Sequence, residues 1–440
     1  MSAVSSAPPP PQPAAQPGRA HQAAINPLPA ALPKSPPLGT GSEAINRDTP
    51  ALLRRWQLIA TLACLAFSIL TGGGLLMGWQ ANRDAAADAT QLRRVYDIQS
   101  DLFRADSLAT NAFLVGGLEP PAQRAAYDDA IGQVSTLIAS ASAAQSADRK
   151  ALSVLNERVL AYAQGIQQAR TYNRQGLPVG AQYLRESSAA LRSEVLPVAD
   201  ALVKANQQRT QAELNGHHPI PLALIGIGTL AVLFWINREL ALAFRRRINL
   251  GVAGAATAIL VISVAAVAIS ANQDSQHQFL LDNSYAKAVN AADARTAGND
   301  ARSQEALKLI ARGAVSEDLW VAAADRTSTK LNAVDDLSVR TPWQQYVDGH
   351  TKIVTLDSAG NWDGAVREAT RTGQGSVTAA FDAFDKAARD LATTSFDEVT
   401  AKAGARNGLQ FFLAVLSILA GLVGAGLVAW GIGQRRREFA

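Results

Sequence analysis

Apolar and polar positions alternate along this chain on two scales. On the coarse scale, four stretches are long and apolar enough to cross a membrane: 56–79, 219–236, 250–271 and 409–430. A helix rising about 1.5 Å per residue needs roughly 20 such residues to cross about 30 Å of hydrocarbon. None of the four contains an Asp, Glu, Lys or Arg in its core. The second is the shortest and opens Pro219-Ile220-Pro221, so its end is expected to be irregular.

On the fine scale, the polar segments between these stretches repeat their apolar residues at helical spacing. Leu102, Leu108, Phe113 and Leu114 are one such set, and Leu152, Leu155, Leu160 and Ile166 another. Strand-like alternation is absent, so both segments read as all-α. Breakers divide the first at Gly116-Gly117 with Pro120-Pro121, at 140–146 and at Gly176-Leu177-Pro178. They predict helices over 80–116, 120–143, 147–175 and 178–217, because Gly ends helices and Pro starts them. The second segment divides at Gly313, at 338–342 and at Gly360-Asn361, with a shorter third helix. Gly373 and Gly375 should weaken its fourth helix by about 1 kcal/mol each relative to Ala.

The two polar segments also share landmarks. Tyr162, Gly165, Thr171, Gly176, Gly180 and Ala181 recur as Tyr346, Gly349, Thr355, Gly360, Gly364 and Ala365, each pair offset by 184. An internal repeat outranks local motifs. Gly176 and Gly360 suit helix ends, Gly180 and Gly364 close helix packing, and the two tyrosines buried rings with a hydroxyl partner.

Charge sets the orientation. Arg54 and Arg55 precede the first span, Arg238, Arg245, Arg246 and Arg247 separate the second and third, and Arg435 to Arg437 follow the fourth. Such clusters stay in the cytoplasm, which puts both termini there and both polar segments outside, in a multi-pass cell-membrane protein. The fold class expected is therefore an all-α membrane protein with four transmembrane helices and two extracytoplasmic up-down-up-down four-helix bundles in tandem. The domains are 1–50, a Pro/Ala-rich disordered tail; 56–79, 219–236, 250–271 and 409–430, the spans; 80–218 and 272–408, the bundles; 237–249, a cytoplasmic link; and 431–440, a basic tail. The first and last helices of the first bundle should run directly into their spans. The first span is too long and too far from Met1 for a cleaved signal peptide.

Composition narrows the chemistry. Of 440 residues one is cysteine, Cys64, so an intramolecular disulfide is excluded. The net charge of +4 concentrates at the inner membrane edge, where it suits anionic lipid, and no basic stripe interleaved with aromatics suggests nucleic acid. His21, His217, His218, His277 and His350 are scattered, with no metal-ligand spacing, and a Gly-rich phosphate loop is missing. Catalytic residues, metal ligands and cofactors are therefore none, and the chain reads as a non-enzyme. Arg93, Arg94, Asp97, Asp101 and Arg104 form i, i+3 and i, i+4 sets, read as a solvated, salt-bridged helix face. Gly251 with Ala255, Ala420 with Gly424, and Gly226 are candidates for close packing between spans. Charge-free spans argue against an ion-coupled transporter.

The stretch Asn111-Ala112-Phe113-Leu114-Val115-Gly116-Gly117 ending the first helix, and Gly360-Asn361-Trp362-Asp363-Gly364-Ala365 opening the last, resemble the four-helix-bundle sensor domains of bacterial chemoreceptors and sensor kinases. Here no adapter or signalling domain follows the second or fourth span, so another protein is expected to convert the signal into chemistry. The layout of tail, two bundles and four spans resembles the GlnX-type actinobacterial membrane sensors. That resemblance implies a transducer of glutamate, aspartate or glutamine availability, receiving it from a GlnH-like solute-binding lipoprotein outside and relaying it to a PknG-like soluble Ser/Thr kinase inside. Arg245, Arg246 and Arg247 are the candidate contact for that inner partner, and ligand-binding residues are left open. The rival readings are a direct small-molecule receptor and a structural envelope scaffold.

Overall fold

The computed structural model describes residues 41–115, 119–216, 219–244, 249–312, 315–405 and 407–438. Residues 52–440 make up one body, and of Met1–Ala51 only the opening turns of the first helix are described. Residues 1–40 of the tail expected over 1–50, Gly116-Gly117, His217-His218, Gly313, Arg406 and the candidate contact Arg245, Arg246 and Arg247 thus lie outside the described residues, whereas 41–50 are helical and open the first helix.

Among the described residues the chain is all-α. The first half comprises α1 (Gly41–Val115), α2 (Pro121–Ala144), α3 (Arg149–Arg174), α4 (Val179–Ala190), α5 (Leu196–Asn215) and α6 (Pro219–Phe244). The second comprises α7 (Leu250–Leu280), α8 (Ala286–Ile310), α9 (Asp318–Val334), α10 (Leu337–Ser358), α11 (Trp362–Thr370), α12 (Val377–Gly404) and α13 (Asn407–Glu438). One π-helical turn, Leu191–Val195, joins α4 to α5, and another, Leu281–Tyr285, joins α7 to α8. Four helices are long and apolar enough to cross a membrane, making this a multi-pass membrane protein.

The helix ends follow from local chemistry. Gly176 and Gly360 both take positive φ, 69° and 76°, which a residue without Cβ adopts without strain. Each closes a Schellman cap, with Leu177 N–H donating to the Tyr172 carbonyl and Asn361 N–H to the Leu356 carbonyl, both at 2.9–3.0 Å. This pair of shared landmarks therefore marks helix-end turns. Their partners diverge: a Cβ on Gly180 would meet the α3 backbone at Asn173 N, 2.8 Å away. Gly364 is instead a capping position, its N–H bonded by the Asn361 side chain at 3.0 Å.

Three boundaries depart from expectation. The break placed at 338–342 falls earlier, at Asp335-Asp336, because Asp335 turns left-handed (φ 51°) and the Asp336 carboxylate caps Ser338 N–H at 3.0 Å. Pro342 then lies inside α10. Gly373 and Gly375 do more than weaken the last helix: both take positive φ and separate α11 from α12. Finally, α1 passes unbroken from span to bundle, and α7 does so through its π turn, whereas α5 ends at Asn215 before α6 starts at Pro219. The end of the second span, expected to be irregular, is instead helical from Pro219, because proline is tolerated in a first turn.

The span helices pack through small residues. A Cβ on Gly251 would lie 2.8 Å from Gly431 Cα of α13, and one on Gly226 would lie 2.8 Å from Ser263 Cβ of α7. Gly424 faces Ala255 and Cys64, both at 3.6 Å. Asn249 caps α7 through Gly251 N–H (3.0 Å) and donates to the Gly431 carbonyl of α13 (3.0 Å). Outward positions such as Ile69, Met77, Leu224, Phe234 and Val261 are exposed and apolar, the pattern of a lipid-facing surface. Beyond the spans a single apolar core runs through both halves, from Leu92 and Leu102 of α1 to Phe384 and Phe396 of α12.

Candidate functional site

Where the two halves meet, the interface is charged and buried, and α1 and α8 form its centre. Helix α8 is rich in Ala, Asn, Asp and Arg, yet 16 of its 25 residues are buried. Small side chains let the neighbouring helices approach closely, and its polar groups must then be satisfied by partners on them.

The first cluster surrounds Arg295 of α8, 2% exposed. Its guanidinium donates to Asp101 of α1 at 2.8 Å and to Asp385 of α12 at 2.9 Å. Asp101 also accepts from Arg389, and Asp385 from Arg104 and, at 2.7 Å, Asn299. Burial disfavours a charged Asp385, yet Arg295 and Arg104 overcome this and hold its carboxyl down at about 2. Asp101 and Arg104 were read as a solvated face. They form the seam instead, since partners from the second half replace water. Arg93 alone of that set keeps an exposed pair, with Asp397 at 3.0 Å.

The second cluster surrounds Asp106, which is fully buried. Tyr162 (3.2 Å) and Ser188 (2.6 Å) donate to one oxygen from within the first half. Arg192 (2.9 Å) and Ser303 of α8 (2.6 Å) donate to the other. Four donors match the acceptor capacity of an ionised carboxylate. Arg192 sits on the π turn and also donates to Asp300 of α8 at 2.9 Å, so it bridges the halves.

The third cluster lies within the second half. Both ring nitrogens of His350 face carboxylates, Glu305 at 2.6 Å and Glu317 at 2.7 Å, and its ring stacks on Trp320 with centroids 3.5 Å apart. Two acceptors require a doubly protonated imidazolium. Burial lowers the His350 pKa, but the two carboxylates outweigh it and the net shift is upward. Tyr346, the repeat partner of Tyr162, donates to Glu305 at 3.4 Å, so both tyrosines are buried with a carboxylate partner.

Beside the second cluster, a cavity of about 910 Å³ opens across the seam between α1, the π turn with α5, α8 and α9. Its floor carries Tyr96, Gln99 and Thr296, and its walls Arg192, Lys204 and Asp325. At the junction of bundle and spans, Asn82 of α1 and Gln273 of α7 both donate to the Gln410 side chain of α13, at 2.7 and 3.0 Å. No cluster suited to a metal ion occurs among the described residues.

Arg295, Asp385, Asp106, Arg192 and His350 were not singled out from the sequence. Their signal is faint: charges on a helix read as solvent-facing unless its neighbours are known. The doubled landmarks around Tyr162 and Tyr346 came closest, since each hydroxyl points into one of these clusters.

Residues 81–215 match a family model described as the actinobacterial sensor domain. The match starts just beyond the first apolar stretch and ends at the last residue of α5, so it covers the polar helical segment of the first half. No curated protein and no solved structure matches the chain. A segment similar to a sensor domain, carried with four apolar helices, indicates a membrane sensor.

Proposed function

We propose that this chain is a non-enzymatic transmembrane signal transducer of the GlnX type. It would relay glutamate, aspartate or glutamine availability from a GlnH-like solute-binding lipoprotein outside to a PknG-like Ser/Thr kinase inside. The observation that carries the relay is the continuity of α1: one helix holds Asp101, Arg104 and Asp106 of the seam and also forms the first span. A shift or rotation of that helix at the seam is passed along its continuous hydrogen-bonded length toward the span. The shift needs a ligand or partner with different affinity for two arrangements of the bundles.

The arginines at the span ends support an orientation with both bundles outside and both termini in the cytoplasm. In that orientation the tail 1–50 and Arg245, Arg246 and Arg247 are the inner surfaces proposed to meet the kinase. The test is kinase phosphorylation of its targets in cells grown with and without external amino acids. Deleting 1–50 and changing the three arginines to Gln should abolish the amino-acid dependence. Unchanged dependence would remove these surfaces from the relay, and a wild-type signal with no nutrient dependence would favour a structural scaffold.

A further inference from the structure

The cavity across the seam is lined by charges in balance. Arg192, Lys204, Arg326 and Lys330 face Asp200, Asp293, Asp300 and Asp325, four of each sign. Most are already paired: Lys330 with Asp293 at 2.7 Å, and Asp300 with both Arg192 and Arg326 at 2.9 Å. Asp200 accepts from Gln99. Two charges have no hydrogen bond or ion pair among the described residues, Lys204 on the α5 wall and Asp325 on the α9 wall, and both are exposed. The floor offers further polar groups, with Gln207 donating to the Tyr96 hydroxyl at 2.6 Å and Thr296 hydrogen-bonded to Ser100 at 2.8 Å.

Arg192 reaches this cavity from a π turn, an extra-residue helical turn that recurs at functional sites. The volume lies within the range of about 300–1,000 Å³ usual for small-molecule sites. A ligand carrying charge of one sign only would leave either Lys204 or Asp325 without an opposite charge. A molecule carrying both signs satisfies them together.

We propose that this cavity binds a small zwitterion of the amino-acid class, its carboxylate taken by Lys204 and its ammonium by Asp325. The ligand touches both halves, and its neighbours Arg192 and Asp300 join the seam to Asp106 of α1. Occupancy therefore stabilises the packing that sets Lys204 and Asp325 around one cavity, relative to any arrangement that separates them. Binding itself does not rest on the lipoprotein and kinase reading. Only the output of the occupied state does.

The experiment is calorimetry on the full chain in lipid nanodiscs, titrated with each free proteinogenic L-amino acid up to about 1 mM. Succinate, which lacks the ammonium, and putrescine, which lacks the carboxylate, are the controls. At least one amino acid should bind, neither control should, and Lys204→Ala or Asp325→Ala should each weaken binding roughly tenfold or more. Both side chains are exposed, so melting curves of the variants should overlay the wild type. Absence of amino-acid binding, binding untouched by both variants, or equal binding of a control overturns the proposal. Amino-acid-dependent kinase output that persists in the double variant removes the cavity from signalling and leaves the transducer reading standing.

Discussion

Arg295 cannot move without breaking two ion pairs at once, because its guanidinium joins Asp101 in one half to Asp385 in the other. A buried pair of this kind adds little net stability, since desolvation offsets attraction, but removing one partner strands the other charges. Arg295→Met should therefore destabilise the protein by about 3–5 kcal/mol, checked by chemical denaturation followed by circular dichroism. His350 gives a different signature. Its pKa is raised above the ordinary value of 6.5, while Glu317 is lowered to about 2 and Glu305 is also lowered. The imidazolium clamp is therefore fully present below pH 6.5 and is lost as pH rises through the folded-state value. Arg302 also pairs with Glu305, and Lys308 with Glu317. Melting temperature should fall across that rise in the wild type, and His350→Gln should flatten the fall. An identical profile in the variant would assign the pH dependence elsewhere. Neither role was legible in the sequence: a lone histidine and a charged helix face acquire partners only from elements far along the chain.

Helix periods carried most of the element-scale information, because spacing, glycine caps and proline starts are local. The start of α2, the end of α3 and the start of α4 fall close to where Pro120-Pro121, Gly176 and Pro178 place them. The π turns were not legible, since one extra residue in a turn leaves the composition unchanged while rotating the face that follows. The Asp335-Asp336 break was missed for a similar reason: a proline at 342 attracts attention, but an aspartate cap two residues before Ser338 decides the start. Among the spans, Gly251 shows how one position fixes two helices. Its missing Cβ leaves room for the α13 backbone around Leu427 to Gly431. Gly251→Leu must push that backbone away, a strain of about 1–3 kcal/mol, and should lower the melting temperature in detergent. Gly228→Leu is the control, since beyond its own helix turns no atom lies within 4 Å of a Cβ built there, and it should melt like the wild type.

At the scale of the whole molecule, the seam decides whether the halves are separable. Each half carries its own helix order, yet Asp106 needs Ser303 from the other half and Arg295 needs Asp101. The apolar core is continuous as well, with residues of α1 and α12 in one cluster. An isolated half would expose that core and leave buried charges without counterions, which the energetics of desolvation penalise heavily. Cutting the chain within 245–248 tests this without disturbing any described side chain of the seam. Each half expressed alone should aggregate or form larger assemblies, and co-expressed halves should copurify and recover a wild-type melting curve. Halves that purify separately as monodisperse monomers, each melting like the intact protein, would show that the seam is a contact of convenience. The signal relay would then have to run through one bundle and its two spans alone.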